Sequence, residues 1–161
     1  MNSPRICRQE RLGLFRNPKA LSWFNMDKFQ KIVVSGFLQH EGGVLLIRRN
    51  QREKFYPGSF ELPGGKVDFG EGPTKALERE FLEETNLKIK VGEPLRTFSY
   101  VSDEGARHTV EIVYRVSLLS SPSELKLSDA HDDYKWVLPC EVGASGFELS
   151  EEIAKSFAFA I

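Results

Sequence analysis

The amino-acid sequence predicts a single domain of mixed α/β structure that spans residues 26–161. Short segments of alternating or continuous apolar residues are typical of strands, whereas the segment after residue 72 has the spacing of an amphipathic helix. A chain of 161 residues can bury one hydrophobic core but is too short for two domains of ordinary size.

Before the helix we predict three strands, which are joined by a tight turn and a loop. The tight turn contains Gly42 and Gly43, and the loop contains Pro57 and Gly58, which are residue types that favour turns. A further glycine turn leads into the helix. The strands are Lys31–Gln39, Val44–Arg49 and Phe60–Leu62, the turns cover residues 40–43 and 63–65, and the loop covers residues 52–59.

The helix is predicted to begin near Pro73, since proline suits a first turn, and to end at Asn86. Four strands and a second helix follow. Ser150 is expected to cap the second helix, which would reach about Phe159. The strands are expected at residues 88–91, 95–101, 108–118 and 134–138, and the third of them would turn one face inward with Val110, Ile112, Tyr114 and Val116.

Residues 1–25 differ in character, because five basic residues there face a single acid, Glu10. The segment lacks the continuous apolar stretch of a secretory signal. Three interpretations stay open: a mobile basic tail, an organelle-targeting segment, or sequence upstream of a true start at Met26.

Composition excludes several function classes. The 22 basic and 23 acidic residues nearly balance, which argues against a general nucleic-acid binder. No apolar run approaches the length of a membrane span, so no membrane partner is expected. Cys7 and Cys140 lack a CxxC partner, which indicates unpaired thiols in a reducing compartment and therefore a cytoplasmic location. A homodimer is left open.

Three glutamates on the predicted helix are the most informative feature of the chain. At roughly 100° per residue around the helix, Glu80 lies about 60° and Glu84 about 20° from Leu77. With Glu83, these carboxylates therefore border the apolar stripe that Leu77 and Phe81 form, where an uncompensated charge is unfavourable.

The position of these carboxylates predicts a divalent metal site. They occupy the last turns of the helix, where the macrodipole disfavours anions, and Glu80 and Glu84 form a like-charge pair at i, i+4. A missing counter-charge explains this arrangement, and Mg²⁺ or Mn²⁺ prefers such oxygen ligands. The alternative is a solvated charged face. A solvated face would place the glutamates on the side of the helix opposite the apolar stripe. The positions on that side are held by other residues: Lys75, Glu78, Arg79 and Leu82.

The order of residues around this cluster resembles the signature of the Nudix hydrolases. Gly65, five residues, Glu71, seven residues and then Arg79-Glu80 reproduce its spacing, and the match continues to Leu87. Asn86 stands where the family usually has glycine, which is a mild departure because Asn readily takes the left-handed conformation that ends a helix. We refer to Gly65–Leu87 as the box, and its eight matching positions are Gly65, Glu71, Arg79, Glu80, Phe81, Glu83, Glu84 and Leu87.

The resemblance implies the Nudix fold, a mixed β-sheet between helices, and hydrolysis of a nucleoside diphosphate linked to another moiety. It implies Mg²⁺ or Mn²⁺ as the cofactor. Arg79 would orient the metal-binding glutamates by ion pairing, and Glu71 would brace the loop before the helix. The implied metal ligands are Glu80, Glu83 and Glu84, with the carbonyl of Gly64 as an additional one.

The general base, which would deprotonate the attacking water, could be a box glutamate or a residue outside the box. Glu111, Glu104 and His108 are the candidates. Strand alternation places Glu111 on the face opposite Val110 and Ile112, so a surface position is the preferred interpretation for it.

Candidate substrate-binding residues flank the box. Arg48 and Arg49 end a strand and could contact phosphates, although alternation lets only one of them point inward. Asp132 and Asp133 could contact the amines of a nucleobase. Three aromatic residues could stack on a base, but core packing is preferred for at least two of them: Phe60, Tyr134 and Trp136.

Features outside the box favour one substrate class. Phe60–Gly65 and Asp132–Trp136 resemble MutT-type triphosphate hydrolases, whereas the downstream proline of ADP-ribose hydrolases and the NADH-type motif are absent. We therefore predict a nucleoside triphosphate pyrophosphohydrolase. ADP-ribose, another nucleotide sugar or a dinucleotide are alternative substrates. A non-catalytic nucleotide sensor and an isomerase of isoprenoid diphosphates are alternatives from other classes.

Overall fold

The structure is a computed structural model that describes residues 28–143 and 149–160. The predictions for residues 1–25 and for a domain start at residue 26 lie outside these ranges. The two described helices are α1 (Pro73–Thr85) and α2 (Glu151–Ser156). The strands are β1 (Phe29–His40), β2 (Gly43–Arg49), β3 (Phe60–Glu61), β4 (Gly64–Lys66), β5 (Ile89–Ser102), β6 (Arg107–Leu118) and β7 (His131–Val137).

The seven described strands form one mixed sheet. Its main path runs β3-β2-β1-β6-β5, with β4 paired to β1 and β7 paired to β2. The β1–β6 pair is parallel and the other described pairs are antiparallel. The predicted mixed sheet is confirmed.

Two apolar clusters lie on opposite faces of this sheet. Successive side chains of a strand point to opposite faces, so β1 sends Val34 into the cluster under α1 and Phe37 into the other. Phe81 of α1 fills the first cluster, while Phe157, directly after α2, packs edge-on against Phe37 in the second. The sheet therefore lies between helices, as the resemblance implies.

The bounds of α1 agree with the prediction. Pro73 begins the helix, and Asn86 ends it in the left-handed conformation with φ 59° and ψ 10°. The backbone N–H of Asn86 donates to the Leu82 carbonyl at 2.9 Å, and its side-chain Nδ2 donates to the Glu124 carbonyl at 3.0 Å. Asn86 thus performs the helix-ending function of the glycine that it replaces.

Asn86→Ala is expected to destabilise the protein by about 1 kcal/mol, because alanine tolerates the left-handed conformation poorly and loses the hydrogen bond to Glu124. For a domain of this size the thermal midpoint should fall by about 2–4 °C. Thermal unfolding followed by circular dichroism measures this fall in the midpoint. Asn86→Gly is the control, and it should cost less because glycine relieves the backbone. An equal or larger loss for glycine would contradict this explanation.

Two predictions for the sheet are wrong. The segments predicted as separate strands at 88–91 and 95–101 form, from Ile89 onward, a single strand, β5. It pairs with β6 through shifts in register around Pro94, a residue without a backbone donor. The glycine turn at residues 63–65 is largely strand β4, paired with Val33–Ser35. Gly64 allows this pairing, because a Cβ there would lie 2.1 Å from the Val34 carbonyl oxygen.

The C-terminal prediction is confirmed in part. Ser150 caps α2, since its Oγ accepts a hydrogen bond from the Ile153 N–H at 3.2 Å. The helix ends at Ser156, and a short 3₁₀ turn continues to Phe159. Neither α1 nor α2, nor any shorter helical turn in the described residues, is long and apolar enough to cross a lipid bilayer.

Candidate active site

The C-terminal half of α1 faces the β4 backbone and defines an acidic cleft, which we call the glutamate cleft (Glu61, Glu80, Glu84 and the backbone of Gly64–Gly65). The side chains of Glu80 and Glu84 are 18% and 16% exposed, while that of Glu83 is 58% exposed. Two of the three box glutamates therefore point into the cleft, and Glu83 points towards solvent.

Glu84 is held deep in the cleft. Its Oε2 accepts a hydrogen bond from the Gly64 N–H at 2.9 Å, and its Oε1 lies 3.8 Å from Nε2 of His131. Burial raises the pKa of Glu84 to about 8, the Gly64 N–H opposes this rise, and the charges of Glu61 and Glu80 add to it. The cleft thus brings carboxyl groups together where water is scarce, which disfavours the charged form of Glu84.

Glu80 lies directly over Gly65. A Cβ on residue 65 would stand 2.3 Å from Cδ of Glu80 and 2.5–2.6 Å from its two carboxylate oxygens. The missing side chain of Gly65 is therefore the space that the Glu80 carboxylate occupies. Nη1 of Arg79 lies 2.9 Å from Oε1 of Glu80 and fixes it from the other side.

Gly65→Ala is expected to displace the Glu80 carboxylate and to reduce hydrolysis by about tenfold to a hundredfold, since a misplacement of about 1 Å at a reacting centre can cost that much. The matched control is Gly72→Ala, because a Cβ at residue 72 meets no atom within 4 Å. Initial rates of nucleotide hydrolysis compare the two variants. Equal rates would show that the packing over Gly65 is unimportant.

Arg79 makes the ion pairs expected for it. Its Nε and Nη2 donate to the two oxygens of Glu71 at 3.1 and 2.9 Å, and Nη2 also donates to the Lys66 carbonyl at 3.2 Å. Nη1 lies 3.4 Å from Glu83. The Arg79 guanidinium lowers the pKa of Glu71, which also accepts from the Asp68 N–H at 3.3 Å and so braces the loop before α1.

Glu61 and His131 were not identified from the sequence. Oε1 of Glu61 lies 2.8 Å from Nη1 of Arg49 and 3.2 Å from Nε2 of His131. The sequence feature that could have identified Glu61 as a site residue is its position between two apolar residues, Phe60 and Leu62, immediately before the box; the structure buries both of them. No local pattern marks His131, because its neighbours in space come from other strands.

Glu111 is part-buried, so the preference for a surface position is wrong. Its Oε1 accepts a hydrogen bond from Oγ of Ser35 at 2.6 Å. Burial raises the pKa of Glu111 above its ordinary value, and the charge of Glu61 adds to the rise. The reason is the position of β6, which lies between β1 and β5 in the sheet. Val113, on the same face as Glu111, is fully buried, so this strand is covered on both faces.

The other two candidate bases lie elsewhere. Glu104 is exposed in a tight turn with φ 54°. The Nδ1 of His108 lies 3.2 Å from Nε2 of Gln30, and His108 lines a shallow pocket with Lys28 and Phe29 at the start of β1. No described contact joins either residue to the glutamate cleft.

The two arginines that end β2 point in different directions, as alternation requires. Arg49 reaches Glu61 in the cleft. Arg48 pairs instead with Asp132 at 2.7 Å and with Asp133 at 3.5 Å, and its guanidinium lies 5.9 Å from the centre of the Phe60 ring. The carboxylate expected to contact a base, Asp132, is therefore engaged by an arginine of the same protein.

Of the three aromatic candidates, two pack in the core as preferred. Phe60 is buried in the apolar cluster beside α2, and Trp136 packs against the cluster under α1. Tyr134 is 44% exposed on β7 and is available to a ligand.

Two basic residues that the sequence did not mark, Lys31 and Arg107, influence each other electrostatically. Lys31 is half-buried, and both burial and the nearby positive charges of Arg107, Lys66 and Arg49 lower the pKa of Lys31. The guanidinium of Arg107 lies 4.9 Å from the centre of the Phe55 ring, in the loop after β2. The charge of Glu80 opposes this lowering of the Lys31 pKa, so Lys31 lies within electrostatic range of the glutamate cleft.

The donor chemistry of the glutamate cleft fits a divalent cation. Within residues 28–143 and 149–160 no three His, Cys, Asp or Glu side chains are arranged as a ready-made metal centre, since Glu83 is turned towards Arg79. The inward donors are carboxylate oxygens of Glu80 and Glu84 beside the Gly64 backbone, the hard ligands that Mg²⁺ and Mn²⁺ prefer. Burial, and after it the charges of Glu61 and Glu80, raise the pKa of Glu84, and a cation beside this carboxylate would oppose that rise.

Comparisons with solved structures agree with this architecture. A MutT protein from Methanosarcina mazei Go1 is similar with a TM-score of 0.70 and 26% identity, covering 83% of this chain and 94% of that one. An ADP-ribose pyrophosphatase from Streptococcus suis 89-1591 has a TM-score of 0.60 and 16% identity, covering 80% of this chain and 87% of that one. The second similarity shows the fold alone.

Sequence comparisons identify the family. The nucleoside triphosphatase NudI of Escherichia coli O139:H28 (strain E24377A / ETEC) is 29% identical over 119 residues, which cover 68% of this chain and 83% of that protein. The NUDIX domain model matches residues 29–157, most of the chain. The chain therefore belongs to the Nudix domain family and is a Nudix hydrolase.

Proposed function

We propose that this Nudix hydrolase uses Mg²⁺ or Mn²⁺ to cleave nucleoside triphosphates between the α and β phosphates, releasing a monophosphate and pyrophosphate. The observation that supports this best is the pair of inward carboxylates of Glu80 and Glu84 beside the Gly64–Gly65 backbone, with the guanidinium of Arg49 2.8 Å from the neighbouring Glu61. The NudI relatives at 29% identity are named nucleoside triphosphatases, which supports the same substrate class.

Glu80 and Glu84, with the Gly64 carbonyl, would hold the cation, and Glu83 would join them after leaving Arg79. A bound cation would neutralise phosphate charge and make water a stronger nucleophile. Arg79 keeps Glu80 in place through their 2.9 Å ion pair. These residues form the acidic half of the proposed site.

Glu111 is the proposed general base. Its part-buried carboxylate, with a pKa above the ordinary value, is suited to accept a proton near neutral pH. In the proposed step the oxygen of a water molecule bonds to phosphorus while the anhydride P–O bond breaks. Glu111 accepts a proton of the water, and the electron pair of the broken bond leaves on the bridging oxygen, with pyrophosphate if the α phosphorus is attacked and with the nucleoside monophosphate if the β phosphorus is.

Lys31 and Arg107 would bind the phosphates. A triphosphate carries several negative charges; burial lowers the pKa of Lys31 first, and the neighbouring positive charges that lower it further would be offset by an anion. Arg107 offers the forked donors that match phosphate oxygens. The near balance of 22 basic and 23 acidic residues supports a small nucleotide rather than a nucleic acid as the substrate. The free thiol of Cys140 supports a reducing, cytoplasmic location.

A substrate screen tests the proposal. The purified chain is incubated with nucleoside triphosphates, ADP-ribose, a nucleotide sugar and a dinucleoside polyphosphate, each with Mg²⁺ or Mn²⁺ and again with EDTA. Monophosphate and pyrophosphate are resolved from orthophosphate by ion-exchange chromatography. We expect triphosphates to give the highest kcat/KM, equimolar monophosphate and pyrophosphate, and no turnover in EDTA.

Other outcomes have definite meanings. A higher kcat/KM for ADP-ribose or a nucleotide sugar would overturn the proposed substrate class, and release of orthophosphate from triphosphates would overturn the proposed cleavage site. Tyr134 is the exposed candidate for contacting the base, whereas Asp132 is engaged by Arg48. Tyr134→Ala should therefore change the ranking among bases more than the rate on inorganic tripolyphosphate.

A further inference from the structure

His131 is the most deeply buried ionisable side chain beside the glutamate cleft among the described residues in contact with it. Its side chain is 1% exposed at the start of β7. Nε2 lies 3.2 Å from Oε1 of Glu61 and 3.8 Å from Oε1 of Glu84, while Nδ1 lies 3.3 Å from Oγ of Ser128. The imidazole thus stands between two carboxylates that belong to different elements, β3 and α1.

The hydrogen bonds around the ring favour one arrangement. Ser128 can donate its hydroxyl proton to Nδ1, which leaves the Nε2–H to donate to Glu61. Oε1 of Glu61 also accepts from Arg49 at 2.8 Å. An imidazole N–H and a guanidinium therefore hold the same carboxylate oxygen, which restricts where Glu61 can lie.

The backbone keeps His131 in this place. The His131 N–H donates to the Ser128 carbonyl, and the Ser128 N–H donates to the carbonyl of Glu84, each at 3.0 Å. On the other side, a register shift in the β2–β7 pair brings Arg49 opposite His131. The ring is thereby connected to the end of α1, to β2 and to β3 at once.

We propose that His131 is a positioning residue that restricts Glu61 and the proposed metal ligand Glu84, so that Glu84 keeps the geometry needed to bind the divalent cation. It does not touch the substrate. The inference rests on the proposed function, and its physical basis is that an outer partner of a metal ligand restricts the orientation of that ligand. An apolar residue of similar size would fill the space but leave Glu61 with Arg49 alone and Glu84 without its imidazole neighbour.

The test compares His131→Leu with His131→Gln, because glutamine can still donate an N–H to Glu61 and leucine cannot. Mn²⁺ affinity is measured without substrate by electron paramagnetic resonance of free Mn²⁺, alongside thermal unfolding and steady-state kinetics. We expect His131→Leu to lower Mn²⁺ affinity and kcat by about tenfold to a hundredfold. His131→Gln should recover most of both, and KM for the nucleotide should change little.

His40→Leu is the matched control, since His40 lies at the β1–β2 turn beside Trp136 and makes no described contact with the cleft. It should bind Mn²⁺ as the wild type does. Unchanged Mn²⁺ affinity in folded His131→Leu, or equal losses in folded leucine and glutamine variants, would overturn the proposal. If His131→Leu does not fold, His131→Gln against the wild type decides by the same measurement, with a large loss of affinity counting against the proposal.

The two proposals fail separately. Absence of hydrolysis by the wild type would overturn the proposed function, whereas the Mn²⁺ measurement would still test His131. Normal hydrolysis by the wild type and by folded His131→Leu would overturn the role of His131 and leave the proposed function intact.

Discussion

Glu84→Gln is expected to reduce nucleotide hydrolysis by about a hundredfold or more while the fold is retained. Glutamine keeps the size of the side chain and can still accept the hydrogen bond from Gly64, but it removes a negative charge from the glutamate cleft. Catalytic cations contribute several kcal/mol of charge stabilisation, and about 1.4 kcal/mol corresponds to tenfold in rate. Initial rates at saturating Mg²⁺ and triphosphate measure the loss.

Stability should change in the opposite direction from activity. Burial raises the pKa of Glu84 to about 8, so the protein disfavours the charged form of this group. A neutral amide avoids that cost. In EDTA at mildly alkaline pH, the thermal midpoint of Glu84→Gln should therefore equal or exceed that of the wild type.

The matched control is Glu78→Gln on the outer side of α1, where Glu78 pairs with Lys75 at 2.6 Å. It makes the same chemical change on the same helix and should leave hydrolysis within about twofold of the wild type, because exposed ion pairs contribute little. Full activity of Glu84→Gln would remove Glu84 from the mechanism. A lower thermal midpoint would show that its carboxylate has a structural role.

Glu111→Gln is expected to lower kcat by about a hundredfold to ten-thousandfold with little change in KM. The amide can still accept the hydrogen bond from Ser35 but cannot take a proton from water. Steady-state kinetics on a triphosphate measures both constants. Glu93→Gln, a change of an exposed glutamate on β5, is the control and should have no effect.

The pH profile gives an independent test of Glu111. Because burial raises the pKa of Glu111, activity that needs its charged form should fall, as the pH is lowered, at a higher pH than for an ordinary glutamate. The Ser35 hydroxyl lowers the pKa of Glu111, so Ser35→Ala should move this acid limb to higher pH. The residual activity of Glu111→Gln should lack the limb.

Two results would contradict Glu111 as the base. One is a Glu111→Gln variant that keeps the acid limb of the wild type, since another group must then titrate. The other is an acid limb that moves to lower pH in Ser35→Ala, because loss of a hydrogen bond to the charged carboxylate can only raise the pKa of Glu111.

The helix that contains the box was predictable because its determinants are local. Pro73 and Asn86 mark its ends by their own backbone preferences, and both appear where the sequence predicts them. The angular positions of Glu80 and Glu84 beside the apolar stripe follow from 3.6 residues per turn, and both side chains point inward. Neither result needs information about the rest of the chain.

Other features depend on which strands become neighbours. Alternation along β6 correctly predicts that Glu111 and Ile112 lie on opposite faces of the strand. It cannot show that the face with Glu111 is also buried by other parts of the fold. The two glycines of β4 suggest a turn until they pair with β1, because glycine permits both a turn and a close backbone approach. Pairing partners distant in sequence decided both cases.

The sequence alone determined the family, the box helix and the inward direction of Glu80 and Glu84, since the spacing within one helix turns residue order directly into geometry. Only the tertiary structure decided the composition of the cleft. Glu61 and His131 come from separate strands, β3 and β7, and their 3.2 Å contact arises because both strands pair with β2. Their contact depends on pairing between strands that are distant in sequence, which no local sequence pattern predicts.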